Sequence, residues 1–180
     1  MKKLCVFCGS SSGLNESYML IAYEFGKLMA KNNIGLIFGG GRSGIMGAVA
    51  DGVLAEKGYV CSVIPRFFVE AGAAHPHAQK THIVETMHER KALMYELADG
   101  FVTLPGGYGT LDELCEIITW AQLDKHTKPC FIFNYNGLFD HFIKHLQLVN
   151  KEGFLSDSDL ALLKERKKIE DIIVEFSQGH

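Results

Sequence analysis

Short apolar runs alternate with longer amphipathic ones along this chain. Lys3 to Cys8 predicts a strand. Ser17 to Lys31 predicts a helix, with Leu20, Ile21, Phe25, Leu28 and Met29 on one face. Ile34 to Phe38 predicts a second strand, Gly44 to Lys57 a helix of small residues, and Tyr59 to Ile64 a third strand stopped by Pro65. A helix over Thr86 to Ala98, a strand over Phe101 to Leu104 and a helix over Thr110 to Leu123 come next. Pro129 to Phe133 gives a fifth strand, followed by a helix over Leu138 to Asn150 and two shorter helical stretches. Such alternation defines βαβ units. The expected fold is α/β: a Rossmann-like open parallel sheet with helices on both faces, a single domain over residues 1–180. Arg66 to Thr81, with Pro76 and many small or polar residues, breaks the pattern and is expected to form a mobile flap or loop.

Open parallel sheets bind ligands beyond the carboxyl ends of their strands, so three loops matter. The first, Gly9-Ser10-Ser11-Ser12-Gly13, offers hydroxyls and N–H groups ahead of a helix. It suits an anion or a turn with an N-cap. The second, Gly39 to Gly47, contains G-x-G-x-x-G between a strand and a helix. A dinucleotide site also wants an acid at the end of the next strand, but Val63-Ile64-Pro65 stands there, and no Gly-Lys-Ser/Thr marks a P-loop. Backbone without Cβ atoms at Gly41 and Gly44 can approach a phosphate or sugar, or it can serve tight helix–strand packing. The third loop, Pro105-Gly106-Gly107-Tyr108-Gly109-Thr110, opens a helix straight after a strand. It forms an anion nest of N–H groups backed by a helix dipole. Glu113 follows in the first turn, facing a ligand or closing a capping box with Thr110. Arg90 and Lys91 sit at a helix start, against its dipole, where a phosphate or carboxylate would offset them.

Charge and composition narrow the classes. The 180 residues carry a net charge of −3, which argues against nucleic-acid and membrane-surface partners. The N-terminal apolar run is short for a signal peptide, and no apolar stretch is long enough to cross a bilayer. The five cysteines are odd in number and irregularly spaced, as expected of reduced thiols in a cytoplasmic protein. Cys5 and Cys8, three apart on a strand, should face opposite ways, so no metal site is expected from them. The histidines at 75, 77, 82, 88, 141 and 145 are expected to be exposed, and Trp120 and Phe131 to serve the core or a dimer interface.

Met87-x-x-Arg90-Lys91 together with Pro105-Gly106-Gly107-x-Gly109-Thr110-x-x-Glu113 resembles the signature pair of the Lonely Guy family of nucleoside 5′-monophosphate phosphoribohydrolases, which activate cytokinins. The resemblance runs from Cys5-Val6-Phe7-Cys8-Gly9-Ser10-Ser11 through Thr119-Trp120-Ala121-Gln122-Leu123 to Lys128-Pro129. It implies hydrolysis of the base–ribose bond of a nucleoside monophosphate, without metal or other cofactor. It further implies that Arg90 and Glu113 are the catalytic pair, that Lys91 and Thr119 border the substrate, and that the protein is a homodimer. Tyr108 and Ser10, with the glycines of the loops, complete the expected substrate contacts. Family members also carry a lysine decarboxylase label, but no lysine here stands in a setting that suits pyridoxal phosphate. Asp112 and Asp124 replace a common Glu and a common Gly of the family, and Arg66-Phe67-Phe68 precede Glu70 where some members place an acid earlier. The rival class is a non-catalytic carrier of a nucleotide or phosphorylated cofactor, which needs the nest but not the carboxylate.

Overall fold

The computed structural model describes residues 1–179. Its strands are β1 (Lys3–Phe7), β2 (Gly35–Phe38), β3 (Val60–Pro65), β4 (Lys80–Val84), β5 (Gly100–Thr103), β6 (Cys130–Phe133) and β7 (Leu163–Arg166). Its α-helices are α1 (Ser17–Lys31), α2 (Gly44–Ala55), α3 (Arg66–Glu70), α4 (Met87–Leu97), α5 (Tyr108–Gln122), α6 (Asp140–Lys151), α7 (Asp157–Leu160) and α8 (Ile169–Gln178). All strands run parallel in one sheet of order β4-β3-β2-β1-β5-β6-β7. The order reverses between β1 and β5, and that reversal opens a crevice beyond the strand ends.

Alternate residues of each central strand serve different layers. Leu4, Val6, Leu36, Phe38 and Val102 pack beneath α1, α2 and α8, against Phe25, Met29, Val49, Val53 and Phe176. Cys5, Phe7, Ile37, Val63 and Phe101 face α4 and α5, against Met94 and Ile117. Cys5 and Cys8 therefore lie in separate layers, and all five cysteines are free. The small residues of α2 let two helices touch backbone to backbone. A Cβ on Gly52 would lie 2.0 Å from the Tyr23 carbonyl oxygen, and one on Gly26 would lie 2.2 Å from that of Val49.

Two strands depart from the sequence expectation. The stretch expected as a flap, Arg66 to Thr81, holds α3 and the start of β4, and β7 lies where only helix was expected. Both strands are sheet edges, and β4 is largely exposed. Edges carry polar and charged side chains that discourage further pairing, and KTHIV and LKER have no alternating apolar face to announce them.

Helix α5 ends in a Schellman turn, with Lys125 N–H donating to Trp120 O and Asp124 N–H to Ala121 O. Asp124 sits there at φ +54°, in the left-handed region that glycine occupies without strain. Asp124→Gly is expected to raise stability by about 0.5 kcal/mol. An unchanged or lower urea midpoint would contradict this.

Candidate active site

A cavity of about 640 Å³ opens at the carboxyl ends of the central strands, within the usual range for small-ligand sites. Its walls include Ser10 and Ser11 after β1, Gly39 and Gly41 after β2, Phe68 after β3, and Gly106 to Thr110 after β5. Met87 and Arg90 from α4 and Glu113 from α5 complete its floor.

The third loop leaves backbone N–H groups uncapped at the start of α5. Helix α5 starts at Tyr108 with Gly107 as its N-cap and no side-chain cap, and its first backbone bond comes from Leu111 N–H. Among the described residues, the N–H groups of Tyr108, Gly109 and Thr110 have no backbone or side-chain acceptor at this helix end. They point along the positive end of the dipole. A Cβ on Gly106 would lie 2.0 Å from Thr110 Oγ1 and 2.8 Å from the Gly9 nitrogen, so internal packing alone demands glycine there. Gly107 and Gly109 differ: a Cβ on either meets no atom within 4 Å, and neither has a positive φ. Their bareness leaves room for a ligand to reach the backbone.

The capping-box reading of Thr110 and Glu113 fails on register. Thr110 is the third residue of α5, not its N-cap. Glu113 is buried at 7% exposure and turns to Arg90, whose Nη2 lies 3.2 Å from Glu113 Oε1. Burial pushes the Glu113 carboxyl up to about 7; the Arg90 guanidinium opposes the rise, and Asp112 adds to it. Gly39 makes space for the pair, since a Cβ there would lie 1.8 Å from Arg90 Nη2. Among the described residues, Arg90 Nε is buried without an acceptor, so they leave the cation incompletely satisfied.

The second glycine loop serves packing more than ligand. Ile45 N–H donates to Ser11 O and Met46 N–H to Gly9 O, so the start of α2 is tied to the first loop. Gly44, at φ +64°, presses against the Ser10 carbonyl and lies off the cavity wall, while Gly41 remains on it. Asn15, rather than the serines, accepts from Ser17 N–H at the start of α1, which leaves Ser10 and Ser11 as cavity wall.

Tyr108 lines the mouth, almost fully exposed. Lys91 lies off the main cavity and pairs with Asp112 and Glu116 of α5. Carboxylates of α5 thus offset both cations at the start of α4. Thr119 is exposed, off this cavity, with its hydroxyl donating to Cys115 O. Trp120 is half-buried against Tyr95, and Phe131 is core. Two histidines depart from expectation: His82 is half-buried on β4, and His75 is buried outright. His75 Nε2 lies 3.1 Å from Asp51 Oδ1, and the His75 backbone N–H donates to Gly40 O. It ties the segment after α3 to the second glycine loop. Tyr18, Ile64 and Leu138 also line the cavity without having been singled out in the sequence, and so does Phe68, which the sequence marked only as part of a departure from the family pattern. Phe68 stands three residues past the carboxyl end of β3, where open parallel sheets bind their ligands.

A parallel sheet whose carboxyl end carries an uncapped helix N-terminus and a buried cation–carboxylate pair on one cavity defines a Rossmann-like α/β protein. The chain belongs to the Lonely Guy family, and residues 46–176 match the family model described as "Possible lysine decarboxylase". It is 36% identical to the rice (Oryza sativa subsp. japonica) cytokinin riboside 5′-monophosphate phosphoribohydrolase LOG, over 98% of this chain and 73% of that protein. It is 38% identical to the cytokinin riboside 5′-monophosphate phosphoribohydrolase of Rhodococcoides fascians, over 96% of this chain and 87% of that one. The fold is shared with the molybdenum cofactor carrier protein of Chlamydomonas reinhardtii, at a TM-score of 0.73 and 17% identity, over 98% and 96% of the two chains.

Proposed function

We propose that this chain hydrolyses the N-glycosidic bond of purine nucleoside 5′-monophosphates, N6-modified cytokinin types included, to free base and ribose 5-phosphate. The observation that carries the reading is the buried Arg90–Glu113 pair on the same cavity as the α5 nest. Breaking this bond gives a ribose of oxocarbenium character. The nest holds the 5′-phosphate, through Gly106, Gly107, Tyr108, Gly109 and Thr110, with Ser10 and Gly41 nearby. Glu113 in its ionised form faces the developing positive charge, and Arg90 stabilises negative charge on the departing base. The names of the relatives support the same reaction. No lysine lines the cavity, so the decarboxylase label of the family has no chemical counterpart there.

The carrier reading rests on a shared fold, and a carrier has no use for a carboxylate buried at its own cost. Incubation with AMP and with N6-prenylated AMP decides between them. Free base and ribose 5-phosphate are expected; tight binding with no base released would give the carrier reading the field.

Because the ionised carboxylate acts, kcat/KM is expected to fall as pH drops through about 7, where Glu113 takes up its proton, and to level above it. A rate that instead falls above pH 7 would make Glu113 a proton donor. The family resemblance also supports a homodimer, for which the half-buried Trp120 on α5 and exposed Leu123 just past its end supply apolar surface. Sedimentation at micromolar concentration should give twice the chain mass, and a monomer would contradict this.

A further inference from the structure

We propose that Phe68, with Phe67 beside it, is the wall against which the base of the nucleotide packs. The inference rests on the nucleotide reading of the cavity above and adds to it the recognition of the base.

The order of the strands carries it. The anion nest lies where the loops after β5 and β1 meet, since Gly106 touches Gly9 there. The next strand, β2, is followed directly by Gly39, over which the Arg90 guanidinium lies beside Glu113. The strand after that, β3, runs straight into α3 and places Phe68 on the cavity. Neighbouring strands are spaced about 4.8 Å apart, so β3 lies roughly 10 Å from β1. Along the sheet edge the cavity therefore offers an anion site, a buried ion pair and an aromatic wall. A nucleoside 5′-monophosphate has phosphate, ribose and base in the same sequence. The bond between ribose and base then falls at the ion pair.

Among the described residues, this aromatic surface belongs to no part of the core. Helix α3 buries none of its residues. Phe67 and Phe68 are 50% and 37% exposed, with ring centroids 4.3 Å apart, and neither belongs to a core cluster. Apolar Ile64, Ala73, Met46 and Met87 share the wall with Phe68. The segment is nevertheless held in place from both sides. Arg66 pairs with Glu85, Arg42 N–H donates to Ala73 O, Gly41 bridges Ala74, and His75 contacts Asp51. A fixed aromatic face left out of the core suits a flat ring, because stacking is favourable for any base and strongest for a purine.

Two ligands separate this wall from the rest of the site: AMP, which has a base, and ribose 5-phosphate, which has none. Calorimetric titration in the Glu113→Gln background, which binds AMP without consuming it, should show that adding Phe68→Ala weakens AMP binding about tenfold and leaves ribose 5-phosphate binding unchanged within twofold. Phe68→Tyr, which keeps the ring, should restore AMP binding. An AMP affinity unchanged by Phe68→Ala would overturn the proposal, as would equal loss of both ligands, which would mean a general collapse of the cavity. Absence of base release from the wild-type protein would overturn the hydrolytic reading alone, and a selective loss on AMP would still support the wall.

Discussion

Glu113→Gln is expected to lose at least about a hundredfold in turnover while still binding AMP, a loss of roughly 2.7 kcal/mol of transition-state stabilisation. Glutamine keeps the shape of the side chain and removes the charge that faces the oxocarbenium ion. The structure also fixes the sign of the stability change. Glu113 is buried and its carboxyl stands at about 7, against 4.5 when free. Its folded pKa is thus raised, and the folded wild-type protein holds a proton that the unfolded chain has released between those values. Wild-type stability therefore falls as pH rises from about 4.5 to about 7, by up to about 3 kcal/mol. Glutamine has no such proton. Relative to wild type, the variant should melt at a similar temperature at pH 5 and at a higher one at pH 8. A more stable and nearly inactive protein is what a strained catalytic carboxylate predicts. Turnover within a few-fold of wild type would show that Glu113 does not act on the substrate.

The helix register explains why this residue was ambiguous in the sequence. Thr110-x-x-Glu113 has the spacing of a capping box, and spacing alone cannot say where the helix starts. With Gly107 at the N-cap, the box is out of phase and Glu113 is free to turn to Arg90. Arg90 and Lys91 posed a similar problem. Adjacent helical residues point about 100° apart, so one of the two cations had to leave the cavity, and only the packing of α4 on α5 decides which. The central strands β1, β2, β3, β5 and β6 were legible because parallel strands buried on both faces are near-continuous apolar runs. The edges β4 and β7 were not, because neither carries a continuous apolar run or an alternating apolar face. The glycine loops were legible as a set but not in their division of labour. Gly44 yields to the Ser10 carbonyl, whereas Gly107 and Gly109 yield to nothing in the protein. That difference depends on contacts between loops far apart in the chain.

Removal of the 5′-phosphate from the substrate is expected to lower kcat/KM by about a thousandfold or more, so that adenosine is cleaved far more slowly than AMP. Three backbone N–H groups, of Tyr108, Gly109 and Thr110, stand at the start of α5 without a cap. Charge-assisted hydrogen bonds of this kind contribute about 1.5–3 kcal/mol each at their best, and the helix dipole adds up to about 2 kcal/mol. A loss of roughly 4 kcal/mol is therefore a modest share of what the nest offers, and it corresponds to the thousandfold factor. The effect should reach kcat as well as KM. The phosphate is remote from the bond that breaks, and its binding energy holds the ribose in line with Glu113 and Arg90, so losing it loosens the geometry of the transition state. Added inorganic phosphate or phosphite, filling the nest beside adenosine, should recover part of the rate. Equal kcat/KM for AMP and adenosine would mean that the uncapped end of α5 does not hold the phosphate, and the assignment of Gly106 to Thr110 would fall with it.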